Sequence, residues 1–498
     1  MNKLIRVSVF LGALLLVLAL MALLGVRSGD RRALQKYQAE LAAKGEKLTF
    51  AELTRGRQTN AVDSYALIIN AWRKLNDVPI DPGLLKPRGY VRPGQASVAW
   101  HQASPTLAQS AGSSGSAGWQ EFAAQMEASQ GALQEIREAL KNPAADLGPY
   151  TNMIVGRRFD FLPVECAAEY LTGAAENELH LGRLEESLQD LEALASLARM
   201  ERDEYTLAAQ VARVCVASKG LAATWDALQA PAWTELQLAR LQKAWEPMDL
   251  VDAVVTGFIG ARADGYELFA FVRRSSGAKT ARFLRHSSSP DWSPTSETLE
   301  ELAGDYLFLP SYKLTSIDAD ELFYLQTVQE CIAALRLLQA HRPWPEAKQA
   351  LTNAGARVTA LSSELDRFRH LFSLLANPYS LSAGTAAVSA ETERQMTLAA
   401  IALKRFQLRH GQLPPSLEAL VPELLSAVPY DYMSAKPLRY RLKPDGSYVL
   451  YSVGLDGKDD GGDPSLAPSA SPGLWGGRDA VWPSPAAEPE EAHRQADQ

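Results

Sequence analysis

Four carboxylates fall within eight residues near the C-terminal end, at Asp456, Asp459, Asp460 and Asp463, with Gly457, Gly461 and Gly462 between them. Carboxylate oxygens spaced by glycines are the donor chemistry of a hard cation such as calcium. Charges this close repel one another, so a cation or full solvation must offset them. The spacing is not that of an EF-hand, because Lys458 takes the third position and Ala467 the twelfth. The stretch before the loop, Tyr448 to Val453, alternates aromatic and aliphatic residues as a strand does.

Elsewhere the reactive residue types are scattered. Glu165, Glu169 and Asp320 are distant acids that would have to converge to give the helical body a hydrolase site. Asp318, Asp320 and Glu321 stand where a helix should begin, and acids in a first turn complement the helix dipole, which is the reading adopted for them. None of His101, His180, His286, His341, His370, His410 and His493 lies at zinc-ligand spacing from another His, Cys or acid. Cys166, Cys215 and Cys331 sit far apart among apolar helix formers and read as buried thiols. The Ser110–Gly118 stretch lacks the register of a Gly-x-Ser-x-Gly nucleophile elbow and reads as a flexible linker.

Those residues need elements to hold them. No charged residue occurs from Val7 to Val26, and about twenty apolar residues at helical rise span a hydrocarbon core of about 30 Å. Residues 1–28 therefore read as a retained membrane anchor rather than a cleaved signal, with Lys3 and Arg6 favouring a cytoplasmic N-terminus. The 498-residue chain is 47% hydrophobic and 22% charged, enough to bury a full core. Its net charge of −8, with no basic stripe, argues against nucleic acid as a partner. Helical periodicity predicts elements over Arg31–Gly45, Asn60–Leu75, Glu165–Leu181, Thr206–Leu228, Trp233–Trp245, Asp249–Arg273 and Asp318–Leu338. Another follows Gly182, with Leu184, Leu188, Leu191 and Ala198 on one face. The turn at Gly182 and the helix after it resemble part of a tetratricopeptide-type unit. Asn76 to Gly118, rich in proline, serine and glycine, reads as connecting segments.

From Thr392 the pattern changes. Met396, Ala399, Ala400, Leu403 and Phe406 form an apolar helical stripe ending at His410-Gly411. Leu413-Pro414-Pro415 and a short helix closed by Pro422 follow, then Val428-Pro429-Tyr430-Asp431. Two strands, Pro437–Leu442 and Ser447–Val453, are joined by Pro444-Asp445-Gly446. Ser452-Val453-Gly454-Leu455-Asp456-Gly457 and Arg478-Asp479-Ala480-Val481-Trp482 close the segment. In order and residues, 390–482 resembles the globular part of the major pseudopilin of type II secretion. The resemblance implies an α+β fold and a calcium site, with Asp456, Asp463, a backbone carbonyl such as that of Val453, and Asp459 or Asp460 as ligands. Pro464 stands where that family has a second late aspartate, and the family's Gly-Phe-x-x-x-Glu leader junction is absent, so a fibre subunit is not expected.

The expected architecture is mainly α. It comprises an anchor (1–28), an α-helical bundle or solenoid-like body (29–386), a small α+β pseudopilin-like domain (387–482) and a disordered tail (483–498). The expected role is that of a non-enzymatic interaction or scaffold protein, single-pass in the inner membrane with its bulk in the periplasm. Envelope or secretion proteins are the expected partners. An accessory component of a type II secretion-like system and a hydrolase are the alternatives.

Overall fold

The computed structural model describes residues 27–56, 63–75, 89–101, 118–143, 161–200, 202, 204–280, 309–376, 381–468 and 470–486, and the chain in these is mainly helical. Helix starts follow from capping chemistry. Residues 27–43 form α1, which closes at Gly45, and Thr49 and Glu52 make a reciprocal capping box for α2 (Phe50–Leu53). After α3 (Ser64–Leu75) come two short strands, β1 (Tyr90–Arg92) and β2 (Gln95–Ala96), then α4 (Trp119–Ala139). Helices α5 (Leu162–His180) and α6 (Leu184–Met200) form the expected tight hairpin, with Gly182 at φ 73° in the left-handed conformation that only glycine adopts cheaply. Thr206 caps α7 (Leu207–Leu228), Thr234 with Gln237 caps α8 (Glu235–Trp245), and Asp249 caps α9 (Leu250–Arg274).

Further along lie α10 (Leu309–Thr315), α11 (Ile317–Gln339), α12 (Trp344–Thr359), α13 (Glu364–Arg369) and α14 (Leu371–Leu375). The thirty-residue α15 (Leu381–His410) then leads into six short strands. These are β3 (Tyr430–Asp431), β4 (Lys436–Pro437), β5 (Arg439–Leu442), β6 (Tyr448–Ser452), β7 (Ala480–Val481) and β8 (Ser484–Pro485). The hairpin β5–β6 forms as expected, turning at Gly446, and β7 adds antiparallel to β6 with Ser452 opposite Ala480.

Helix α15 is the axle of the molecule. It packs against α7, α8, α9 and α12 on one side and against β3, β6 and the short 3-10 helix Leu417–Leu420 on the other. Its polar residues hold the ends of the surrounding helices. Arg394 donates to the carbonyls of Trp245 (3.0 Å) and Glu246 (3.2 Å) at the C-terminus of α8, and Glu391 accepts from the Leu250 N–H (3.0 Å) at the N-terminus of α9. Lys404 reaches the Leu228 and Ala230 carbonyls beyond α7, at 2.5 and 2.9 Å. Cations thus meet helix C-termini and an anion meets an N-terminus, the arrangement the helix dipole favours.

Several expectations change. The boundary at 386/387 falls inside α15, and a single hydrophobic core runs from Leu34 to Trp482 across both expected domains. The segment read as connection contains β1 and β2. Residues 483–486, read as tail, pair with it: β8 runs parallel to β2, Gln95 opposite Ser484 and Ala96 opposite Pro485, while the Trp225 indole N–H donates to the Pro483 carbonyl at 3.0 Å. Two-residue strands carry no periodicity to read. The acids at the start of α11 do not serve the dipole from solvent. Asp318 and Glu321 clasp Arg273, and Asp320 accepts from the Tyr312 hydroxyl, the Ser373 hydroxyl and the N–H groups of Phe372 and Ser373. Cys331 is buried as expected and Cys166 half-buried, but Cys215 is exposed. The anchor (7–26), the Ser110–Ala117 linker, His286, His493 and the tail from 487 lie outside the described residues.

Candidate functional site: the closing loop and its clamp

The loop is built from two buried aspartates, one in the turn before the hairpin and one in the closing segment. Asp431, fully buried in β3, accepts from the Met433 N–H (3.0 Å) and the hydroxyls of Ser434 (2.8 Å) and Ser452 (2.7 Å). It also takes the Val453 N–H at 3.3 Å, so one carboxylate fixes both the β3 turn and the exit of β6. Asp479, 1% exposed, receives the N–H groups of Asp460 (3.3 Å), Gly462 (2.7 Å) and Asp463 (3.0 Å). Burial pushes the Asp479 carboxyl up and the three N–H donors pull it down; the balance stands above the usual carboxylate range. Gly454 is obligatory between the two, since its φ is 72° and a Cβ there would lie 2.5 Å from the Arg478 carbonyl.

The four acids of the loop project around this frame. Asp459 places one oxygen on the Tyr451 hydroxyl (3.1 Å) and the Gly461 N–H (3.0 Å), and the other on Arg439 (3.1 Å). Partial burial works against its charge, but those donors together hold its carboxyl below the usual range. Asp460 and Asp463 flank Arg478 at 3.9 and 3.8 Å, and Asp463 also binds the Ser465 N–H and hydroxyl. Asp456 accepts the Lys458 N–H at 3.0 Å, closing its own turn. The Val453 carbonyl belongs to the same loop as Asp456, Asp459, Asp460 and Asp463, but the carboxylates face different partners. Among the described residues no group of three or more His, Cys, Asp or Glu converges as a metal cage. Both oxygens of Asp459 accept hydrogen bonds, and Arg439 and Arg478 offset part of the loop's negative charge.

The loop is also a joint. A Cβ on Gly457 would meet Pro345 of α12 at 2.7 Å, and the Trp344 N–H donates to the Tyr432 carbonyl at 3.0 Å. Leu455 and Trp475 border an open cleft of about 640 Å³ against α15 and α7, where Thr385, Ser389 and Glu393 supply polar groups. The cleft's small hydroxyl side chains give no sequence signal, because they read as ordinary positions of an alanine-rich helix.

The hydrolase candidates are not brought together. Glu165 and Glu169 on α5 share Lys219 of α7, at 3.3 and 2.7 Å, whereas Asp320 on α11 is spent on Tyr312, Phe372 and Ser373. The half-buried Cys166 thiol beside them is raised by burial first and by the Glu169 charge second, which makes it a poor nucleophile. No protein-family model, curated protein or solved structure matches this chain.

Proposed function

We propose that the chain is a non-enzymatic, membrane-anchored scaffold whose body lies outside the cytoplasm and whose C-terminal α+β module presents a fixed binding face. The observation that carries this reading is the joint around the closing loop. Gly457 seats the closing loop against Pro345 of α12 and the Trp344 N–H holds the Tyr432 carbonyl, leaving the cleft beside Leu455 and Trp475 as the surface offered to a partner. Glu165, Glu169 and Asp318 are consumed in ion pairs, and Asp320 in the cap of α14. Such rigidity suits recognition, since a preformed cleft limits the ordering cost of binding.

The test is topology followed by cross-linking. In spheroplasts the body should be open to added protease and the chain should resist carbonate extraction. A photo-cross-linker at Thr385 should trap one defined envelope protein, and Trp475→Ala should abolish that product. A body shielded from protease in intact spheroplasts, or no product from Thr385, would count against the proposal. The succession of long helix, hairpin, acidic loop and closing strand favours a second reading, an accessory part of a type II secretion-like system. Co-purification of the trapped protein with a secretion platform would select it.

A further inference from the structure

The end of α1 nearest the apolar run is fixed to a particular face of the body. Asp30, in the first described turn, pairs with Arg369 of α13 at 2.9 Å. Asp30 follows Val26 by four residues in sequence, and four helical residues rise about 6 Å. The headgroup layer on one side of a bilayer is about 5–7 Å deep. If Val7–Val26 is the anchor, α13 lies at headgroup level.

What α13 and its neighbours expose fits that level. Helix α13 buries none of its residues, and it packs with α10 and α14 around Tyr312, Phe368 and Phe372. Outward from that cluster, Leu365 is 79% exposed, Leu375 62% and Leu314 58%. Among the described residues these are three of the four most exposed large apolar side chains, the other being Leu236 on α8. Burying a leucine fully is worth about 1.5–3 kcal/mol, so three gathered on adjoining short helices leave a substantial unmet gain. Arg31 and Arg32 on α1 and Arg367 on α13 are exposed in the same neighbourhood, with Arg27 half-exposed before them. Asp30 is neutralised by Arg369, and Glu364 approaches Arg367 at 3.6 Å, so the surplus charge is positive.

We propose that α10, α13 and α14 form a membrane-contact face that seats Leu314, Leu365 and Leu375 in the headgroup–acyl boundary of an anionic bilayer. Arg27, Arg31 and Arg32 engage its phosphates. The face acts as a second anchor that fixes the tilt of the body over the membrane, and it rests on the reading of Val7–Val26 as the first.

The test uses the full chain in nanodiscs containing phosphatidylglycerol and a nitroxide-labelled lipid. An environment-sensitive fluorophore is placed at Leu365→Cys, Leu375→Cys or, as control, Leu236→Cys, with the three native cysteines replaced by serine or alanine. Labels at 365 and 375 should be quenched several-fold more than the label at 236. Equal quenching at all three sites in nanodisc-bound protein overturns the face while leaving the anchor standing. Failure of the chain to co-elute with nanodiscs in high salt overturns both. The unmodified chain gives a second readout that no substitution can compromise: backbone exchange over 364–375 should be slower in anionic nanodiscs than in amphipol, and an unchanged rate overturns the face.

Discussion

Asp479 shows how one buried carboxylate can frame a loop through backbone donors. Its three N–H donors come from the acidic loop itself, so removing the charge leaves the loop without a frame. Asp479→Asn should lower the unfolding free energy by about 2–3 kcal/mol, the scale of hydrogen bonds to a charged group. EDTA should leave the wild-type melting temperature unchanged; a calcium-dependent rise in a melting scan would show that Arg439 and Arg478 do not suffice. Asp264 is shifted in the same direction by burial. Burial first, and the nearby charge of Glu267 second, raise its pKa from 3.8 to about 6. The folded state therefore holds this proton more tightly than the unfolded one. The advantage is fully present below about pH 4 and is lost as pH rises through about 6. Asp264→Asn should flatten that part of the stability profile and stabilise the protein at pH 7 by up to about 3 kcal/mol, with little effect at pH 4. Equal effects at both pH values would mean that Asp264 acts through packing. The loop acids themselves are legible in the sequence. Their partners are not, because Arg439, Arg478 and Asp479 lie some twenty residues away and nothing local links them.

At the scale of the element, legibility follows burial geometry. Helix α6 buries Leu188, Leu191, Leu194 and Ala198 and keeps Glu186 and Gln189 exposed, so its stripe is plain. Helix α15 is buried on nearly every side from Ala383 to Arg405, which removes the contrast on which periodicity depends. Only its second half, around Met396 to Phe406, carries a readable stripe, so the sequence reading starts the helix about ten residues late. α4 and α12 have no counterpart among the helices expected from the sequence. The polar residues of α15 are where its energetics can be tested. Arg394→Ala would strand Glu391 in the core, at 1% exposure, with its cation gone. A loss of about 3–5 kcal/mol is expected by chemical denaturation, whereas Arg394→Met combined with Glu391→Leu should cost less because no charge is left alone. Equal losses for the single and the double variant would place the effect in the Trp245 and Glu246 carbonyls that Arg394 caps.

For the whole molecule, the mainly helical class with an α+β C-terminal part is legible, and the division into separable domains is not supported by the packing. Apolar side chains of α15 fill the body and the module together, so neither has a complete core without it. Calorimetry should therefore show one cooperative transition for the described parts, and a chain ended at residue 386 should fail to fold. Two resolved transitions, or a soluble cooperative fragment ending at 386, would restore the domain boundary. The pairing of β2 with β8 carries this interdependence into time. The Ser484 hydroxyl and the Gly94 carbonyl are 390 residues apart in sequence, so that contact closes only after nearly the entire polypeptide has emerged. The edge of β2 that pairs with β8 therefore stays open through most of synthesis, and an open strand edge is a template for pairing with other chains.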